Sequence, residues 1–183
     1  MYLVFKDSNG INFADPELHD LEELLISLDN ILSKILVEIK TSTNPEADRL
    51  FERGEYFMGV GFCAMQRYLI DILDCKNIEK EKALKLGPTS KEGIPIAEII
   101  NSAGNYWKHS PEWNMWVKDP DNRAQKIMGH IVSSDGAFWY PLSNLLAELC
   151  GNQKLLLHNC IPYLKEWRLS IHIELTKNKK ITN

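Results

Sequence analysis

The sequence predicts an all-α protein: a bundle of about four main helices with shorter helices near the C-terminus and a candidate N-terminal β-hairpin. Two observations carry this expectation. Leucines and isoleucines recur at alternating steps of three and four from Leu18 to Ile39, the stripe of a helix with one apolar face. Two cap-then-proline pairs, Asp15-Pro16 and Asn44-Pro45, mark helix starts, because proline suits the first turn and a short polar side chain accepts from its free N–H groups. Strand signals are confined to residues 2–13, where the apolar run Tyr2–Phe5 and the return Ile11–Phe13 flank Asn9-Gly10, the preferred tight-turn pair. A lone hairpin is marginal in water and has to pack on the helices or on a second copy of the chain.

The first helix is expected over residues 16–39, roughly 36 Å long at 1.5 Å per residue. Its seam is Leu18, Leu21, Leu25, Leu28, Leu32, Ile35 and Ile39, widened by Leu24, Ile31 and Leu36. The second is expected from Asn44-Pro45 to about Cys75. Gly54, Gly59 and Gly61 weaken it by about 1 kcal/mol each relative to alanine, so their presence points to close approach by a neighbour or to a kink. Residues 76–93, lysine-rich and ending in GPTSKEG, read as a mobile connector. A third helix is expected from Ile94-Pro95 to His109, where Pro111 discourages continuation. A fourth is expected over Asp121–Val132, broken by Ser133–Gly136, with shorter helices at Pro141–Cys150 and Ile161–Ile173.

With 183 residues the chain is expected to form one helical domain over residues 1–183, long enough to bury a sizeable core. The N-terminus lacks the basic-then-apolar order of a signal peptide, and no apolar run reaches bilayer length, so the expected location is cytoplasmic and no membrane is expected as a partner. Cys63 and Cys75 lie about 18 Å apart along one expected helix, too far for a disulfide. Cys150 and Cys160 lack redox or zinc spacing, so all four cysteines read as reduced packing residues. Net charge is −4, which excludes a whole-molecule basic field for nucleic acid and leaves only local basic patches. The lysines at 177, 179 and 180 read as a solvated, frayed C-terminus.

The densest chemistry lies in Asn105–Trp116, NYWKHSPEWNMW, which holds three of the five tryptophans. Lys108 and His109 fall at an expected helix C-terminus, whose dipole favours cations. The imidazole of His109 can act in proton transfer or bind an anion with Lys108, and Trp107 or Trp113 can stack on a base. Asn105, Trp107, Lys108, Trp113 and Lys126 are the candidate ligand-binding residues, and His109 a candidate catalytic one. The plainer alternative is that basic residues cap the helix while the tryptophans plug the core beneath a proline-containing loop. No E-x-x-H, H-x3-H or G-x-S-x-G motif occurs, so no metal, no cofactor and no serine nucleophile is expected. His19 precedes Glu22 and Glu23 by one turn and reads as a solvated ion pair.

Arg123 and His130, in RAQKIMGH, are seven residues apart and share a helical face. This R-x6-H spacing resembles the R-x4-6-H signature of HEPN domains, small all-helical proteins. The resemblance covers that motif and the general pattern of long helices before it. Ala124 stands where the family usually has a polar residue. The resemblance implies a dimer in which Arg123 and His130 face an inter-subunit cleft. It also implies RNA as the partner and metal-independent ribonuclease chemistry of the toxin or phage-defence kind. There Arg123 would clamp a phosphate and His130 would move a proton. The other reading is a non-catalytic interaction protein that grips a protein partner through Asn105–Trp116 or the leucine-rich first helix.

Overall fold

The computed structural model describes residues 2–7, 10–74, 78–112, 129, 139–151 and 153–181, the side chains of 6, 7 and 178–181 excepted. It has the expected all-α architecture with an N-terminal hairpin. Strands β1 (Leu3–Asp7) and β2 (Gly10–Ala14) pair antiparallel, Leu3 opposite Ala14 and Asp7 opposite Gly10. Gly10, the first residue of β2, has φ +123°, a conformation that glycine adopts without a Cβ clash.

Helix α1 spans Pro16–Thr41, capped as expected by Asp15, whose carboxylate accepts from Leu18 N at 3.1 Å. Its buried side is Leu18, Leu21, Leu25, Leu28, Leu32 and Ile35, the predicted stripe, while Leu24 and Leu36 are exposed. The second helix starts later than expected. Asn44-Pro45 opens only a turn, with Ala47 N donating to Asn44 Oδ1 at 3.1 Å. Arg49 then adopts φ +54°, and α2 runs Leu50–Asp74. The left-handed residue ends one turn and re-aims the chain into the next helix. Glu38 and Arg53 bridge α1 and α2 beside this bend, at 2.7 Å.

The connector is more built than its composition suggests. It contains α3 (Lys80–Leu84), with Ala83 and Leu84 buried. Helix α4 spans Ile96–His109 and runs into a 3-10 turn, Ser110–Glu112. Helix α5 is Pro141–Cys150, at the predicted bounds. A 3-10 turn, Leu157–Cys160, leads directly into α6, Ile161–Ile181, which continues eight residues beyond the expected Ile173, so the lysine-rich tail is helical. Apart from residue 129, the expected helix at 121–132 lies outside the described residues. The core joins α1, α2, α4, α5 and α6, with Phe62, Met65, Leu69, Ile100, Leu142 and Trp167 inaccessible at its centre. Trp167 also donates its Nε1–H to Ala83 O at 2.9 Å, fixing α3 to α6.

Three buried or half-buried carboxylates organise the packing. Asp15 accepts from Tyr68 OH at 2.8 Å and from Arg168 Nη1, joining the start of α1 to α2 and α6. Burial and the Asp15 carboxylate push the Tyr68 phenol far above its ordinary range. The Arg168 guanidinium lies 4.2 Å from the Phe13 ring centroid, which seats the hairpin on α6. Asp29, inside α1, accepts from Leu157 N (2.6 Å), His158 N (3.1 Å) and His158 Nδ1 (2.8 Å). Glu55, on α2, accepts from Leu142 N (2.7 Å) and from Ser143 N and Oγ (3.0 and 2.7 Å), capping α5. A helix start leaves N–H donors unpaired, and a carboxylate there satisfies them and complements the dipole.

Candidate functional site

Asn105, Trp107, Lys108 and His109 occupy the last turns of α4. Trp113, Arg123, Lys126 and His130 lie outside the described residues. The described half of the site is positioned by the seam between α2 and α4. Contacts along it run in opposite senses: Gly59 with Trp107, Cys63 with Gly104, Gln66 with Asn101. The two helices are therefore antiparallel there. Two of the three α2 glycines accommodate side chains from elsewhere in the fold. A Cβ at Gly59 would fall 1.7 Å from Trp107 Cδ1, and one at Gly61 would fall 2.6 Å from Leu157 Cδ1. At Gly54 a Cβ would meet nothing within 4 Å among the described residues. The sequence expectation of close approach thus holds at two of these three positions.

Trp107 is half-buried against the core, and its ring meets Tyr56 edge-on with centroids 5.5 Å apart. One side of the indole is committed to α2, while the neighbouring Tyr56 is exposed. Lys108 is exposed. Burial pushes the Cys63 thiol up, and the positive charge of Lys108 partly offsets that. Cys63 itself donates to Gly104 O at 3.4 Å. His109 Nδ1 lies 3.4 Å from Glu112 on the following 3-10 turn. An exposed pair of this kind adds little stability, but it orients the ring and leaves Nε2 available.

The polar strip of α4 continues inward. Asn101, Asn105 and His109 are spaced by four and share one face, with Lys108 adjoining it. Gln66, 3% exposed, donates from Nε2 to Asn101 O (2.9 Å), Asn101 Oδ1 (3.1 Å) and Asn105 Oδ1 (3.0 Å). Sequence reasoning overlooked Gln66. The signal was there: one amide stands among Met58, Phe62, Met65 and Leu69 on the apolar face of α2. Burying an amide in such a place costs free energy unless its hydrogen bonds are made.

The described free cysteines are Cys63, Cys150 and Cys160, and burial pushes the Cys160 thiol strongly up. His19 lies 3.5 Å from Glu23 in an exposed pair, as its spacing implied. Among the described residues no three His, Cys, Asp or Glu side chains gather as a metal set. No described helix is long and apolar enough to cross a membrane. Comparison with family models, with curated proteins and with solved structures found no match.

Proposed function

We propose that this chain is an HEPN-like RNA-binding protein that cleaves RNA without a metal ion, in the manner of toxin or phage-defence ribonucleases. The observation that carries the reading is the end of α4, where Asn105, Lys108 and His109 share one face beside the rings of Tyr56 and Trp107. A cation, an imidazole and an amide suit a phosphodiester, and aromatic rings suit its bases. The all-helical frame and the R-x6-H pair that follows in the sequence, Arg123 and His130 with Lys126 between them, support the same reading. The reaction is transesterification. The 2′-oxygen bonds to phosphorus and the bond from phosphorus to the 5′-oxygen breaks. One group removes the 2′-hydroxyl proton and another protonates the leaving oxygen. His130 and His109 are the candidates for these proton transfers, and Arg123 and Lys108 for holding the phosphate.

The test is cleavage of single-stranded RNA by the purified full chain in the presence of chelator. Activity is expected to persist there and to be lost in Arg123→Ala and His130→Ala with the fold retained. Loss in His109→Ala with Arg123→Ala and His130→Ala still active would confine the centre to the end of α4. An inactive wild type that also fails to bind RNA would overturn the reading.

The second reading, a non-catalytic interaction protein, is favoured by exposed apolar surface. Leu3 and Phe5 of β1 are 68% and 52% exposed, and Trp139 is 74% exposed. Leu24, Ile26, Leu36 and Val37 of α1 are exposed as well, which suits self-association into a homodimer. Sedimentation at tens of micromolar distinguishes a dimer from a monomer.

A further inference from the structure

We infer that Gln66 is a positioning residue: it turns the Asn105 amide so that its N–H donors join Lys108 and His109 in a binding face for a phosphate oxygen. This rests on the reading of α4 as a phosphodiester-binding element.

The argument is one of donor and acceptor accounting. Asn101 O is a main-chain carbonyl and can only accept, so the atom of Gln66 that faces it at 2.9 Å must be the amide nitrogen. That nitrogen also meets Asn105 at 3.0 Å, so Asn105 has to present its oxygen inward. Its Nδ2 is then the branch of the amide not bonded to Gln66, and no hydrogen bond joins it to another described residue. Lys108 and His109 lie three and four residues further on, which places them one helical turn away on the same side. Glu112 engages His109 Nδ1, leaving Nε2. The result is an amide, an ammonium and an imidazole side by side, all donors when the imidazole is protonated. An anion at a helix C-terminus is opposed by the carbonyl ends of the dipole, so side-chain donors have to supply the attraction.

The seat of Gln66 is itself built. A Cβ at Gly104 would fall 2.6 Å from Gln66 Oε1, so glycine leaves the room the amide needs. Glutamate at position 66 would reverse the device. It can only accept, so Asn101 and Asn105 would turn their NH2 groups inward, and Asn105 would offer an acceptor to the ligand.

The experiment measures binding of an end-labelled oligouridylate to the full chain by fluorescence anisotropy. Asn105→Ala is expected to weaken binding about tenfold, and Gln66→Glu by a similar factor. The double variant is expected to be no worse than Asn105→Ala alone, because both changes remove the same donor. Gly104→Ala, which displaces Gln66 without adding charge, covers the case in which Gln66→Glu does not fold. In parallel, the Asn105 side-chain amide resonance is followed as inorganic phosphate is added. It is expected to shift in the wild type and not in Gln66→Glu or Gly104→Ala. Weakening in Asn105→Ala with wild-type binding in both other variants would overturn the positioning role and leave the RNA reading intact. A phosphate-dependent shift that vanishes in these variants, without RNA binding by the wild type, would sustain the positioning role and remove the RNA reading. Neither RNA binding nor a phosphate shift would remove both.

Discussion

Alanine at Gly54 and at Gly59 should change stability in opposite directions, although both positions lie within α2 and intrinsic helix propensity treats them alike. The propensity gain is about 1 kcal/mol at each. At Gly54 nothing among the described residues lies within 4 Å of the added methyl, so the gain stands. For a chain of this size that raises the melting temperature by about 2–4 °C. At Gly59 the methyl would fall 1.7 Å from Trp107 Cδ1, 2.1 Å from Nε1 and 2.3 Å from Cγ. The indole has to leave. Trp107 is half-buried, so about 100 Å² of apolar surface is lost, or about 2.5 kcal/mol at 25 cal/mol per Å². Subtracting the propensity gain leaves a net loss of about 1.5 kcal/mol, a fall of about 3–6 °C. Thermal melts followed by circular dichroism measure both variants, and tryptophan emission in Gly59→Ala should move to longer wavelength. Combining Gly59→Ala with Trp107→Leu should cost less than the sum of the two single changes. Equal stabilisation by the two alanines would refute the packing of Trp107 into the Gly59 cleft, and with it the account of how α4 is held.

Three further outcomes follow from the buried carboxylates. Asp29→Ala strands the N–H groups of Leu157 and His158 and should cost about 3–4 kcal/mol by urea titration, against about 1 kcal/mol for His158→Ala, which removes one of the three bonds; the reverse ranking would sink the capping role. Arg168→Met should cost about 3–5 kcal/mol, because it leaves the Asp15 carboxylate buried with its charge partner gone, whereas Tyr68→Phe should cost about 1 kcal/mol. Burial, only partly offset by the bonds from Leu142 and Ser143, holds the Glu55 carboxyl above its ordinary value of 4.5. The native state therefore keeps this proton to higher pH than the unfolded chain. Its contribution to stability then falls as pH rises from the ordinary carboxylate range into the raised one. Glu55→Gln should flatten that slope in melts taken upward from the ordinary carboxylate range, and an unchanged slope would count against it.

The fold was legible where side-chain periodicity and capping agree. Leu18 to Ile35 and Asp15-Pro16 place α1 almost to the residue, and α5 falls at the expected Pro141–Cys150. Legibility failed where a backbone conformation decided the outcome. Nothing in the identity of Arg49 signals φ +54°, so the sequence places the start of α2 too early. It failed again in the connector, where polar composition hid Ala83 and the carbonyl that receives the Trp167 N–H. The sequence also places the end of α6 too early, because lysines late in a helix resemble a solvated tail. At the site, Asn105, Lys108 and His109 were visible as chemistry-bearing types at helical spacing. Gln66 was not, because its role is set by residues 35 and 39 positions away, and such pairing leaves only a polar letter on an apolar face. Arg123, Lys126 and His130 were legible as a motif, and their geometry lies outside the described residues.

Asp29 and Glu55 give the carboxylates that start the C-terminal helical segments to the N-terminal half of the chain. Asp29 meets its donors across 128 and 129 positions, and Glu55 across 87 and 88. The ends of α5 and of the turn before α6 are thus completed by residues synthesised long before them. Closing such distant pairs costs chain entropy before any bond repays it, and a topology rich in them folds more slowly than helix content suggests. On the ribosome α1 and α2 emerge with carboxylates whose donors have not yet been made, and the last fifty or so residues arrive at a template already waiting. Their order of assembly is written in acids that lie far upstream.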